Sequence, residues 1–152
     1  MADETDPWKP NVTVAAVVER NGGFLLVEEQ TADGLRYNQP AGHLEEGESL
    51  LEAVIRETLE ESARHFNPTA LVGIYQYRKP ASPVTYLRFA FTREVSAPED
   101  RPLDTGILRA LWMPAADIRA CRERHRSPLL MQCVEDYIAG RRYPLQLLHH
   151  HS

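Results

Sequence analysis

The chain opens on a run of β-branched and apolar positions broken by polar ones. Asn11 to Glu19 reads NVTVAAVVE and predicts a strand. After the Asn21-Gly22-Gly23 turn, Phe24 to Glu28 predicts a second, so the pair is expected as a hairpin. Asp33-Gly34 marks another turn, and Arg36 to Asn38 reads as a short strand leading through Gln39, Pro40 and Ala41 into a glycine-bearing loop. There the period changes. Leu51, Val54, Ile55, Thr58 and Leu59 recur at i, i+3, i+4, i+7 and i+8, which gathers them into one helical stripe expected to face a core. Ser49 and Glu52 supply the S-x-x-E pattern of a capping box and fix where that helix begins.

Beyond the helix, Leu71 to Tyr77 and Val84 to Thr92 predict two strands separated by the Lys79-Pro80-Ala81-Ser82-Pro83 turn. A loop rich in Pro, Asp and Glu, Ser96 to Gly106, precedes a strand at Leu108 to Met113. Pro114 to Arg119 reads as a short helix, and Ser127-Pro128 opens another that runs to Ile138 and ends at Gly140. Strands, one helix, more strands and C-terminal helices predict an α+β fold, an α/β/α sandwich around a mixed β-sheet.

The polar positions of the central helix carry the chemistry. Glu57, Glu60 and Glu61 recur at i, i+3 and i+4, and their mean direction lies roughly 140° around the helix from the apolar stripe. At roughly 6 Å and an effective dielectric near 20, each pair of such carboxylates repels by about 3 kcal/mol, so a positive partner is expected. Oxygen-only donors beside a loop that can lend a carbonyl suit Mg²⁺ or Mn²⁺ and leave positions for phosphate oxygens. A solvated acidic face paired with Arg56 is the competing reading. Spacing places Arg56 to pair with Glu60 or Glu52.

The stretch from Gly42 to Arg64, GHLEEGESLLEAVIRETLEESAR, resembles the Nudix box, the signature of the Nudix hydrolases. Gly42, Glu48, Arg56, Glu57, Glu60 and Glu61 stand at the box's glycine and polar positions, whereas Thr58, Ala63 and Arg64 depart from its pattern near the helix end. The resemblance implies the same sandwich and a phosphohydrolase in which water attacks phosphorus with a divalent cation bound. It implies Glu60 and Glu61 as metal ligands together with the Ala41 backbone carbonyl, and Glu57 as either a further ligand or the general base. Arg56 and Glu48 would orient the other carboxylates. Gly42, His43, Arg36 and Arg88 are candidate contacts to substrate, and Glu99, Asp100 and Asp104 are candidates for a further carboxylate from a loop. NQPAGHLE, YLRFAF, RSPLL and RRYPLQLL resemble the NudJ branch of the family, which implies phosphate release from nucleoside tri- and diphosphates and from hydroxymethylpyrimidine or thiamine diphosphate. Tyr77 and Pro80 keep two alternatives in view, an ADP-ribose or dinucleoside polyphosphate pyrophosphatase. A Nudix domain that senses a nucleotide without cleaving it is a third, disfavoured by the intact glutamates.

Composition narrows the partners. A length of 152 residues predicts a single domain, with 1–9 and 146–152 as flexible ends and no role for His149, His150 and His151. A net charge of −5 argues against a nucleic-acid polymer but not against a small phosphorylated substrate held by a metal and local arginines. The acidic start MADETDPWKP has no apolar leader and no stretch reaches the length of a membrane span, so no membrane partner and a cytoplasmic location are expected. Monomer and homodimer are both compatible with the sequence. Cys121 and Cys133 lack metal or redox spacing and read as free thiols.

Overall fold

The structure, a computed structural model, describes residues 6–152. Its strands are β1 (Asn11–Val17), β2 (Glu19–Arg20), β3 (Gly23–Thr31), β4 (Gly34–Asn38), β5 (Ala41–His43), β6 (Phe66–Arg78), β7 (Thr85–Val95), β8 (Ile107–Pro114) and β9 (Tyr143–Pro144). Its helices are α1 (Leu50–Ser62), α2 (Ala115–Ala120) and α3 (Leu129–Ile138). One sheet runs β5-β1-β7-β6-β9 and is mixed, since β1 and β7 pair in parallel while their other neighbours are antiparallel. In the second, β3 pairs with β2 and β4 and also with β8. Among the described residues no helix is long and apolar enough to cross a membrane.

Helices cover both faces, as the predicted α+β sandwich requires. On one face Val14, Ala16, Val18, Leu25, Leu71 and Phe91 pack with Ala53 and Val54 of α1. On the other, Val17, Phe24, Leu26, Val72 and Ala90 pack with Ile118 of α2 and with Leu130, Cys133 and Val134 of α3. A strand buried on both faces has no polar side to show, which is why VAAVV and FLLV run as continuous apolar stretches. Both cysteines are free, and Cys133 is buried.

The expected β1–β3 hairpin is not formed. The chain leaves the first sheet after Val17, and only the two residues of β2 fold back on β3, through a turn in which Asn21 (φ 52°) and Gly22 (φ 83°) take left-handed conformations. β1 instead pairs with β5 and β7. The strands from Leu71 and Val84 lie where expected but are longer, because their antiparallel register extends from Arg78–Thr85 to Phe66–Val95. In the expected C-terminal flexible end, the 3₁₀ turn Leu145–Leu147 leads to Leu148, which packs against the α1-side core. The part of the N-terminal end that comprises residues 1–5 lies outside the described residues.

Helix α1 begins where the capping box places it. The Ser49 side chain accepts from the Glu52 backbone N–H at 3.0 Å, and the Glu52 carboxylate accepts from the Ser49 N–H at 2.9 Å. Its buried face is rotated from the expected stripe. Ala53, Val54, Glu57, Thr58 and Ser62 are buried, while Ile55 is 37% exposed. The rotation follows from what surrounds the helix: α1 contacts β1, β5 and β6 of the first sheet and also β8 of the second, so the side bearing Glu57 lies against protein rather than solvent. Ala63 closes the helix at φ 60° in the left-handed region that glycine enters more easily. The buried Thr58 hydroxyl donates to the Val54 carbonyl at 2.7 Å, so the polar residue at an aliphatic position leaves no unpaired group.

Candidate active site

The site forms where α1 meets the edge strand β5. Gly42 pairs with Val14 across the β1–β5 ladder and turns its missing side chain toward α1. A Cβ at Gly42 would sit 2.1 Å from the Glu57 carboxyl carbon, so only glycine lets that carboxylate lie flat against the strand. One residue earlier, the Ala41 N–H donates to Glu61 Oε1 at 3.0 Å. The helix thus docks on β5 through two of its own glutamates.

Arg56 holds the loop and the helix together. Its Nε and Nη2 donate to the two oxygens of Glu48 at 2.6 and 3.0 Å, its Nη1 to Glu57 at 2.7 Å and Glu60 at 3.2 Å, and its Nη2 also to the His43 carbonyl at 3.0 Å. A planar guanidinium with five fixed donors suits this role, and lysine would not reproduce it. Of the two partners that spacing allowed, Glu60 is bound, while Glu52 is committed to the helix cap. The Arg56 contact holds the Glu48 carboxyl below its ordinary range.

A third element supplies a carboxylate. The Asp104 N–H donates to the Glu60 carbonyl at 3.0 Å and the Glu99 N–H to the Ala63 carbonyl at 2.7 Å, which folds the 96–106 loop onto the end of α1. One oxygen each from Glu57, Glu60 and Asp104 then lie within 4.8 Å of one another. Burial pushes the Glu57 carboxyl up against the opposing effect of Arg56, with Glu60 and Asp104 adding to the rise. Burial likewise raises Glu61, to about 8, despite the Ala41 N–H that favours its charged form; Glu57, Glu29 and Asp104 contribute. Five carboxylates, Glu48 among them, and one arginine leave an excess of negative charge on hard oxygen donors, and this fits a divalent cation such as Mg²⁺ or Mn²⁺.

Next to the cluster lies a cleft of about 230 Å³ lined by Ala41, Gly42 and His43 from β5, Thr13, Tyr86 and Arg88 from the sheet, Tyr77 and Lys79 at the end of β6, Glu29 and Asn38 from the second sheet, and Arg126, Ser127 and Leu129 at the start of α3. The residues singled out by the sequence divide accordingly: Ala41, Gly42, His43 and Arg88 reach the cleft, and Glu57 and Glu60 form the cluster with Asp104. Glu61 stands beside that group, bound to Ala41. Arg36 is not among the cleft residues; it projects from the β3–β4 ribbon and its Nη1 donates to the Leu35 carbonyl at 3.0 Å. Glu99 pairs with His65, and Asp100 is exposed outside the cluster. Nothing in the sequence singles out Glu29, Lys79 or Arg126, because each is a lone charge whose place depends on strands that meet only in the fold. Arg126 is set there by its N–H, which donates to the Tyr37 carbonyl at 2.8 Å, and its side chain pairs with Glu29 at 2.9 Å.

Comparison with known proteins places the chain in a family. The family described as NUDIX domain matches residues 9–133. Phosphatase NudJ of Escherichia coli K12 is 38% identical over 142 residues, which cover 93% of this chain and 92% of that protein, and the Shigella flexneri protein of the same name matches equally. Among solved structures, a NUDIX hydrolase from Nitrosomonas europaea superposes with a TM-score of 0.91 at 52% identity, covering 94% of this chain and 98% of that one. The NUDIX domain of Shewanella oneidensis NrtR, solved with ADP ribose, shares the fold at a TM-score of 0.73 and 18% identity, over 91% of this chain and 93% of that one.

Proposed function

The chain belongs to the Nudix family and is a hydrolase acting on phosphoric anhydrides, and from this we propose that it is a Mg²⁺-dependent phosphatase of small diphosphates and triphosphates. Nucleoside tri- and diphosphates and hydroxymethylpyrimidine or thiamine diphosphate are its substrate class, and the cytoplasm its location; Mn²⁺ would serve in place of Mg²⁺. The observation that carries the reading is the Glu57, Glu60 and Asp104 cluster standing directly beside a cleft large enough for the rest of such a substrate. The name of the NudJ relative supports phosphate release over cleavage between two nucleoside halves.

In this reading Glu57, Glu60 and Asp104 hold the cation, with Glu61 and the Ala41 carbonyl completing the set, and Arg56 and Glu48 keep the carboxylates in place. The bound cation supplies neutralisation of charge on the phosphate oxygens and activation of the attacking water. Burial raises Glu61 to about 8 in the metal-free protein, so at neutral pH it holds a proton that it would give up to serve as a ligand. The other role open to Glu57 is that of general base; burial raises it as well, though Arg56 opposes that rise. Gly42 and His43 form the wall along which the phosphates pass, and Tyr77 and Tyr86, opposite each other on β6 and β7, offer ring faces that do not distinguish one base from another. Phosphate contacts carry no information about the base, so low base selectivity follows.

The test is an assay of ATP, GTP, hydroxymethylpyrimidine diphosphate and ADP-ribose under Mg²⁺ with products identified. Inorganic phosphate from the first three is expected. Cleavage of ADP-ribose to AMP far faster than phosphate release from the others would replace this reading with an ADP-ribose pyrophosphatase.

A further inference from the structure

Arg88 is a buried charged side chain that none of the ion pairs among the described residues accounts for. It is 5% exposed, yet it still lines the cleft. Its Nη1 donates to Gln39 Oε1 at 2.9 Å and approaches the buried Cys133 sulfur at 3.8 Å, and its Nη2 donates to Asn38 Oδ1 at 3.2 Å. These partners satisfy hydrogen bonds but carry no charge. Among the described residues no carboxylate oxygen lies within 4.0 Å of an Arg88 nitrogen, whereas Arg126, on the same cleft, has Glu29 at 2.9 Å. A buried guanidinium without a counter-charge is costly to the fold.

The surroundings hold that guanidinium in place. Gln39 is 1% exposed and its Nε2 donates to the Leu130 carbonyl of α3 at 2.9 Å, so its oxygen is fixed toward Arg88. Asn38 Oδ1 also accepts the Gln39 N–H at 3.0 Å. Along the sheet, His43, Thr13, Arg88 and Tyr75 stand in one row across β5, β1, β7 and β6, which sets Arg88 two strands from the β5 wall of the cluster. Lys79 lines the same cleft, is exposed, and likewise has no carboxylate within 4.0 Å among the described residues.

We propose that Arg88, with Lys79, is an anion subsite, and that the chain is selective for substrates that place a phosphate in the cleft in addition to the phosphate bound at the carboxylate cluster. The buried arginine supplies fixed, charge-assisted donors and the exposed lysine a mobile charge at the mouth. The incoming phosphate is then the counter-ion that the fold omits. This rests on the proposed phosphatase reading only for which end of the substrate is cleaved; the subsite itself is a binding property of the cleft.

Tripolyphosphate titrated into the EDTA-treated protein, followed by calorimetry, reads that property without turnover. Arg88→Met keeps the length of the side chain and removes its charge, and it is expected to weaken binding by about tenfold or more, with Arg88→Lys restoring part of the loss. Lys79→Met, at an exposed position with no fold to lose, is expected to weaken binding as well and keeps the test available if Arg88→Met does not fold. Two sources of the anion separate in steady-state kinetics with Mg²⁺. If it is the substrate's own polyphosphate tail, the variants raise KM for a nucleoside triphosphate more than for the diphosphate. If it is a phosphate on the sugar, they abolish a preference for 2′-phosphorylated nucleotides. Tripolyphosphate affinity unchanged in Lys79→Met, or in a folded Arg88→Met, would overturn the proposal.

Discussion

A single missing methyl group decides how close Glu57 comes to the wall of the cleft. At Gly42 an added Cβ would lie 2.1, 2.2 and 2.4 Å from the three carboxyl atoms of Glu57, so Gly42→Ala must push that carboxylate away from Glu60 and Asp104. Because the displaced group is a proposed ligand, we expect at least about a hundredfold loss of kcat with a lowered Tm. Unchanged turnover in a folded variant would show that Glu57 need not lie where it does. Glu61 makes a second residue-level prediction, through protons. Its folded pKa of about 8 lies above the ordinary 4.5, so between these values the folded protein binds the extra proton and stability falls as pH rises. Glu48 and Glu28 behave in the opposite sense. Contacts from Arg124 and Arg109 hold Glu28, and that from Arg56 holds Glu48, below 4.5, and the stability they contribute is lost as pH falls below that value. Melting curves in EDTA should therefore peak in mild acid, near about pH 5, and Glu61→Gln should flatten the alkaline limb. An optimum at pH 8 in EDTA would contradict the burial of Glu61. The glutamates themselves were legible in the sequence because one helix carries them at fixed spacing. Asp104 stood among three loop acids that only the backbone bonds to Glu60 and Ala63 could separate.

Helix α1 is the element on which the site is built, and its start was readable from the sequence because capping is local chemistry. The Ser49 hydroxyl accepts from the Glu52 N–H and the Glu52 carboxylate from the Ser49 N–H, a bond pair spanning only four residues. Ser49→Ala should cost about 1 kcal/mol, visible as a lower unfolding midpoint in urea, with only modest loss of activity since Val54 and Ala53 still anchor the helix. An unchanged midpoint would mean that the cap contributes nothing in this setting. The face that the helix buries was less legible. Periodicity assumes one apolar side and one wet side, but α1 is covered by β8 of the second sheet as well as by β1, β5 and β6 of the first, so Glu57 is buried and Ile55 is not. The β1–β3 hairpin failed for a related reason. A turn at Asn21-Gly22 was correctly placed, yet which strand flanks it depends on the register with β7, more than sixty residues away in the chain.

At the scale of the whole molecule, both faces of the mixed sheet serve the site. Side chains on the α1 face gather the carboxylates, those on the α3 face line the cleft, and β5 is the edge where the two meet, with Gly42 turned toward one and Ala41 and His43 lining the other. A net charge of −5 sits on a molecule whose cleft nevertheless carries Arg88 and Lys79 without carboxylate partners, so attraction for phosphate is local rather than global. That architecture was readable as a fold class and Arg88 as a candidate, whereas the cleft as a whole was not, because Glu29, Lys79 and Arg126 come from three separate segments that meet Arg88 only in the fold. Hydrolysis at this site requires above all that the carboxylate cluster hold a divalent cation. Phosphate release from ATP at saturating Mg²⁺, compared between the wild type and Glu60→Gln, puts that requirement to the sharpest test. Glu60→Gln should fold normally and lose at least about a thousandfold in turnover, since it removes a ligand oxygen charge without changing the shape of the side chain. Full Mg²⁺-dependent activity in a folded Glu60→Gln would contradict the assignment of the cluster as the catalytic metal site.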